Sequence, residues 1–130
     1  MVKIERKKKI LVVDDEIYVR KIFKYNLEKV GYLVTAAEDS YEAEEKIVDG
    51  EHFDLIICDL MMPVRSGMEF IKVLREKYKM DEQRIILVSA RGMERDILEA
   101  KLYNIDDYQM KPFSVVEFLE KVEEILKKEL

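Results

Sequence analysis

Histidine and cysteine occur once each in this 130-residue chain, as His52 and Cys58, and tryptophan does not occur at all. A single cysteine excludes an intrachain disulfide. A single histidine excludes His-rich zinc chemistry and leaves one candidate for any Cys–His pair. The side-chain amides are scarce, with Asn26, Asn104, Gln83 and Gln109 the full set. Two prolines and four glycines build no linker, and neither an internal repeat nor a low-complexity segment divides the chain. No apolar stretch approaches the length of a membrane span. The N-terminus opens on alternating charges, without the apolar segment of a signal peptide. A cytoplasmic, reduced setting is expected.

Positive charge is also in deficit. The net charge of −5 and pI near 5.1 argue against a surface that grips nucleic acid through its phosphates. The one basic cluster, Lys7, Lys8 and Lys9, reads as part of a solvated leader over about residues 1–8 that also blunts a strand end. Apolar residues make up 48% of the chain, enough to bury one layered core, and the expectation is a single domain over 1–130. Charged residues reach 39%; with so few labile amides, that composition is the signature of a hot-living source.

Two patterns alternate along the chain. Short apolar, β-branched runs fall at 10–13, 33–37, 55–58, 85–88 and 108–110. Between them lie helical spacings. Val19, Ile22, Phe23, Leu27 and Val30 form one face, with Gly31 as the C′ residue. Ser40 is the expected cap of a second helix, with Ala43, Ile47 and Val48 inward. A third helix, about 67–78, buries Met68, Ile71 and Leu74; a fourth covers about 93–103. The fifth opens with a Ser114/Glu117 capping box and carries Val115, Phe118, Leu119, Val122, Ile125 and Leu126. Five such βα units predict an α/β, doubly wound parallel sheet covered on both faces, the last strand at an edge. Ligands of such sheets bind at the carboxyl ends of the strands.

Those ends carry the chemistry. The first strand ends in Asp14 and Asp15, the third in Asp59, the fourth in Ser89, and the fifth in Lys111. Singly, each has a plain explanation: a helix cap, a turn before Pro63, a loop hydroxyl, a solvated lysine. Their coincidence on one rim is harder to explain that way. Three converging carboxylates repel unless one is protonated or a cation intervenes. Oxygen-only ligands select a hard cation, magnesium first. Magnesium, a lysine ammonium and a serine hydroxyl together suit a phosphoryl group, and a carboxylate can accept one as nucleophile.

On these residues the chain resembles the response-regulator receiver domains of two-component signalling, the CheY-like family. The matching motifs are Ile10-Leu11-Val12-Val13-Asp14-Asp15-Glu16; Asp59-Leu60-Met61-Met62-Pro63 with Gly67; Ser89-Ala90; and Asp106-Asp107-Tyr108-Gln109-Met110-Lys111-Pro112-Phe113. Ser89 lies 30 residues and Lys111 52 residues after Asp59, as in the family. The resemblance implies a flavodoxin-like sheet of order 2-1-3-4-5 with five helices. It makes Asp59 the phosphoacceptor. Asp15 would ligate Mg2+ (Mn2+ can substitute), Asp14 would help through a water, and the backbone carbonyl of Met61 would complete the protein ligands. Ser89 and Lys111 would engage the phosphoryl group, Tyr108 would turn inward as Ser89 moves, and the Lys111–Pro112 peptide would be cis. Met61 and Arg91 would set phosphoryl lifetime, here long. Ile17 and Tyr18 would dock a partner histidine kinase or histidine phosphotransfer protein. The implied function is a phosphorylation-activated switch in a phosphorelay. It is not an enzyme beyond self-phosphorylation and autodephosphorylation. It acts on an unknown output protein, with no nucleic acid and no membrane as direct partner.

Three features bear on that reading. Asn104-Ile105 stands where the family usually has Gly-Ala. Cys58 points away from Asp59 by strand alternation and reads as a small buried apolar residue. His52, in the loop before the third strand, reads as a solvated residue and not a phosphoryl relay. The alternatives are a Mg2+-dependent aspartate-nucleophile phosphatase or the receiver fragment of a longer transcriptional regulator. Such phosphatases place an Asp two residues after the nucleophile, where Met61 stands here, and carry a cap this chain has no residues to build. That no effector segment follows Leu130 fits either a protein that acts alone or a piece of a longer regulator; the lack of basic residues at the start of the last helix leans towards the former.

Overall fold

The computed structural model describes residues 6–90 and 94–128. Each apolar run becomes a short strand: β1 (Lys9–Val13), β2 (Leu33–Ala37), β3 (Leu55–Asp59), β4 (Ile85–Ser89) and β5 (Asp107–Met110). The segments between them form α1 (Ile17–Lys29), α2 (Ser40–Val48), α3 (Gly67–Glu76), α4 (Glu94–Leu102) and α5 (Val115–Lys127). All pairings are parallel and the order is β2-β1-β3-β4-β5. β3 and β4 are buried at every position, whereas β5, at the sheet edge, is half-buried and ends exposed.

Period-two alternation splits the strand side chains between two apolar layers. Leu11, Val13, Ile56, Cys58, Ile85 and Leu87 pack with Phe70, Ile71 and Leu74 of α3, Ala43 of α2 and Ala100 of α4. Ile10, Val12, Leu55, Ile57, Ile86 and Val88 pack with Phe23 and Leu27 of α1 and Phe118, Val122 and Ile125 of α5. Each large side chain so buried contributes about 1.5–3 kcal/mol. Cys58 is fully buried in the first layer, and burial pushes its thiol far up, away from thiolate chemistry.

Several expected inward positions are exposed instead: Ile22 at 56%, Val30 at 55%, Val48 at 61% and Val115 at 40%. Val30, Val48 and Val115 sit at helix ends. Ile22 lies beside the Val19, Phe23, Leu27 stripe and lines an open apolar groove of about 300 Å³ between α1 and α5. Asp39, not Ser40, caps α2, accepting the Glu42 N–H at 2.8 Å, and Ser40 is buried as the first helical residue. Ser114 does cap α5, accepting from the Glu117 N–H. Gly31 closes α1 at φ +105°: its N–H meets Glu28 O at 3.0 Å and the Tyr32 N–H meets Leu27 O at 3.2 Å, a Schellman motif.

The Asn104-Ile105 departure also has a local explanation. Asn104 adopts φ +57° just past α4, a left-handed position that Asn tolerates, and Ile105 packs against the α3-side core. The turn is pinned by Arg75, 8% exposed, whose guanidinium donates to Tyr103 O at 2.9 Å, Gln83 O and Asn104 O at 3.0 Å, and also to Met80 O.

Candidate metal and phosphoryl site

Parallel order brings the ends of β1, β3, β4 and β5 to one rim. Register places Val13 beside Cys58, Asp59 beside Val88, and Ser89 beside Met110, so Asp14, Asp59, Ser89 and Lys111 leave neighbouring strands at similar height. One carboxylate oxygen from each of Asp14, Asp15 and Asp59 lies within 4.8 Å of the other two. Asp14 is 2% and Asp59 8% exposed, while Asp15 is open to solvent. The Lys111 ammonium stands 3.3 Å from Asp14 Oδ2 and 4.0 Å from Asp59 Oδ2.

Asp14 does not cap α1. Its Oδ1 accepts the Glu16 N–H at 2.9 Å, Glu16 itself occupies the cap position, and Arg20 donates to Asp14 O at 2.7 Å. Both Asp14 carboxylate oxygens therefore already have cationic or N–H partners. Asp59 Oδ1 faces the Met61 N–H at 3.4 Å. Burial, and then the charge of Asp14, push the Asp59 carboxyl up to about 6; Asp15 adds to the rise, while Lys111 and the Met61 N–H oppose it. An all-oxygen donor set with a carboxyl so raised fits a hard divalent cation, which would remove the repulsion.

Gly67 explains how the loop after Asp59 returns so closely. A Cβ on Gly67 would meet Asp59 O at 2.2 Å, and its N–H donates to Leu60 O at 2.9 Å. Ser89 is fully buried at the end of β4, and Lys111 N–H donates to Ser89 O at 2.7 Å. The Lys111–Pro112 peptide is cis. Tyr108 is half-buried against the α3-side core, and Met61 is 51% exposed beside Asp59. Ile17 and Tyr18 are 50% and 76% exposed at the start of α1. His52 is exposed in the 51–54 loop, away from the rim. Arg91 lies outside the described residues. One participant escaped sequence reasoning, Arg20: it reaches Asp14 O through tertiary proximity, and a lone arginine in a charged chain gives no signal.

The response regulator receiver domain profile matches residues 10–123. Solved structures agree. The chemotaxis protein CheY4 of Vibrio cholerae is 30% identical over 92% of this chain and 99% of its own, with a TM-score of 0.85. A CheY-like response regulator receiver domain protein of Methanospirillum hungatei is 30% identical, covering 93% of this chain and 94% of its own, at 0.86. The response regulator TrrA of Thermotoga maritima, solved in complex with Mg2+-BeF, is 39% identical over 91% of this chain and 98% of its own, at 0.79. Among the described residues no helix is long and apolar enough to cross a membrane.

Proposed function

The chain belongs to the response-regulator receiver family of two-component signalling, and from that premise we propose that it is a switch set by phosphorylation of Asp59. The observation that carries the reading is the convergence of Asp14, Asp15 and Asp59 within 4.8 Å, with Lys111 reaching both Asp14 and Asp59. The donor is a phosphohistidine on a histidine kinase or phosphotransfer protein. An Asp59 carboxylate oxygen attacks phosphorus, the P–N bond breaks, and the acyl phosphate forms as the partner's imidazole leaves. Lys111 answers the added negative charge as a point cation, and Ser89 donates a hydrogen bond to a phosphoryl oxygen. Tyr108 follows Ser89 inward and thereby alters the face built by α4, β5 and α5.

Asp15, Asp59 and the Met61 carbonyl would hold Mg2+. Asp14 would act through a water, as the prior engagement of both its carboxylate oxygens favours. When bound, the ion neutralises charge on the carboxylates and on the phosphoryl oxygens. The Mg2+-BeF complex of TrrA supports that choice. Met61 blocks water from the acyl phosphate without orienting it, so the phosphorylated state is long-lived. Ile17 and Tyr18 supply an apolar docking surface for the phosphodonor. Nothing favours the phosphatase alternative, because Met61 occupies the position its acid/base would need.

The test is direct. Acetyl phosphate with Mg2+ should add one phosphoryl group to the intact chain by mass spectrometry, and Asp59→Asn should add none. Addition to both, or to neither, would remove Asp59 from the role.

A further inference from the structure

The 60–66 segment, between Asp59 and α3, supplies the Met61 backbone to the rim and is held at two places. At its base Gly67 closes on Leu60 through the N–H bond to its carbonyl. At its tip the Arg65 N–H donates to Pro63 O at 2.8 Å, a three-residue turn centred on Val64 at φ +70°. A γ-turn with positive central φ is the rare, strained form, and a β-branched residue is a poor occupant of it. Val64 is 91% exposed, so its own packing does not hold the turn.

What does hold it is the side chain that follows. Arg65, 10% exposed, donates through Nε to Ser40 Oγ at 2.8 Å and through Nη2 to Ser40 O at 2.9 Å. Its Nη1 pairs with Glu44 Oε1 at 2.8 Å, and the guanidinium carbon sits 4.0 Å from the Tyr41 ring centroid. Ser40 Oγ donates back to Arg65 O at 3.4 Å. The planar fork thus fastens the loop to the first turns of α2, and Glu44, itself bonded by the Tyr78 hydroxyl, balances its charge.

We propose that Arg65 is a positioning residue for the metal and phosphoryl rim: by clamping the strained turn at Val64 to Ser40 and Glu44, it holds the Met61 backbone at the place where it meets Asp59. This rests on the reading of the rim as a Mg2+ and phosphoryl site. Arg65 acts through the loop and not by its charge on Asp59, since that charge is already paired with Glu44. Strain of this kind persists only where the surroundings over-determine it. Removing the clamp therefore lets the turn relax and carries Met61 with it, whereas glycine at position 64 removes the strain and with it the need for the clamp.

The experiment is a double-mutant cycle read as Mg2+ affinity, by calorimetric titration of the metal-stripped protein, with the Met61 and Ile57 amide resonances followed in parallel. Arg65→Met should weaken Mg2+ binding about 10-fold, as loss of a partner supporting a metal ligand usually does. It should move the Met61 amide while leaving Ile57 unmoved. Val64→Gly should stay within about two-fold of the parent, and Val64→Gly with Arg65→Met should recover most of the loss, a coupling that independent sites do not show. Unchanged affinity in Arg65→Met, or the same loss from Arg65→Met in the Val64→Gly background as in the parent, would overturn the proposal. Should Arg65→Met fail to fold, Arg65→Lys, which keeps a charge for Glu44 but not the planar fork to Ser40, replaces it in the same cycle with the same criteria. Absence of Mg2+ binding and of phosphoryl addition in the parent protein would instead sink the reading of the rim itself.

Discussion

With no cation present, the folded chain binds a proton on Asp59 more tightly than the unfolded chain does, because the carboxyl is raised from its ordinary value to about 6. The stability this proton confers is fully present below about pH 4 and is lost as pH rises through about 6. Asp59→Asn, which carries no charge at any pH, should therefore stabilise the metal-free protein at pH 7.5 by about 1–2 kcal/mol, after discounting the shift for solvent screening, and do little at pH 4. Urea unfolding in chelator at the two pH values checks this; an equal effect at both would show that Asp59 does not hold its proton. Met61 gives a second prediction at this scale. Its apolar side chain stands half-exposed beside Asp59 and cannot orient a water. Met61→Asn should shorten the phosphoryl lifetime several-fold in a chase after donor removal, and an unchanged lifetime would take Met61 out of that role. Asp14, Asp15, Asp59, Ser89 and Lys111 were readable as one cluster because each ends an apolar run. The elevated pKa was not readable, because it depends on how far burial and distance concentrate repulsion.

Four of the strands, β1, β3, β4 and β5, lead into the rim groups at their carboxyl ends, so the ends of elements matter more than their middles. α3 begins on Gly67 because no larger residue fits against the Asp59 carbonyl. Gly67→Ala must shift the end of β3 or the start of α3. It should cost about 1–3 kcal/mol by thermal or denaturant unfolding and slow phosphoryl uptake from acetyl phosphate; wild-type values for both would mean the loop yields freely. Helix ends are also where sequence patterns misled. The spacing that correctly selected Phe23 and Leu27 also admitted Ile22 and Val30, because helical periodicity fixes a face but not how far the sheet extends beneath it. Asp39 and Ser40 are both good caps, and the choice of Asp39 followed from Ser40 being drawn inward to serve Arg65. Asn104 takes a left-handed backbone that Asn tolerates, and Arg75 ties the turn to the end of α3.

Across the whole molecule, ion pairs such as the half-buried Lys72–Glu99 and the exposed Lys127–Glu123, both at 2.7 Å, sit on a surface rich in both signs of charge. Single pairs of this kind add little at room temperature, but their desolvation cost falls on heating. The melting midpoint should therefore lie above the ~45–65 °C range of ordinary mesophile domains, and millimolar Mg2+ should raise it further through binding to the folded state alone. A metal-free midpoint inside that range by calorimetry would refute the thermophile reading. The sequence alone determined the alternation of strand and helix, the sheet class, the covering of both its faces and the polar residues at four of the strand ends. All of these follow from periodicity and local chain chemistry, which a linear pattern records. Only the tertiary structure decided which side chains meet across long separations: Arg65 with Ser40 and Glu44, Arg75 with the 103–104 carbonyls, Lys111 with Asp14 and Asp59. Those contacts depend on distances between elements, and distances between elements are set by packing, which no single stretch of sequence contains.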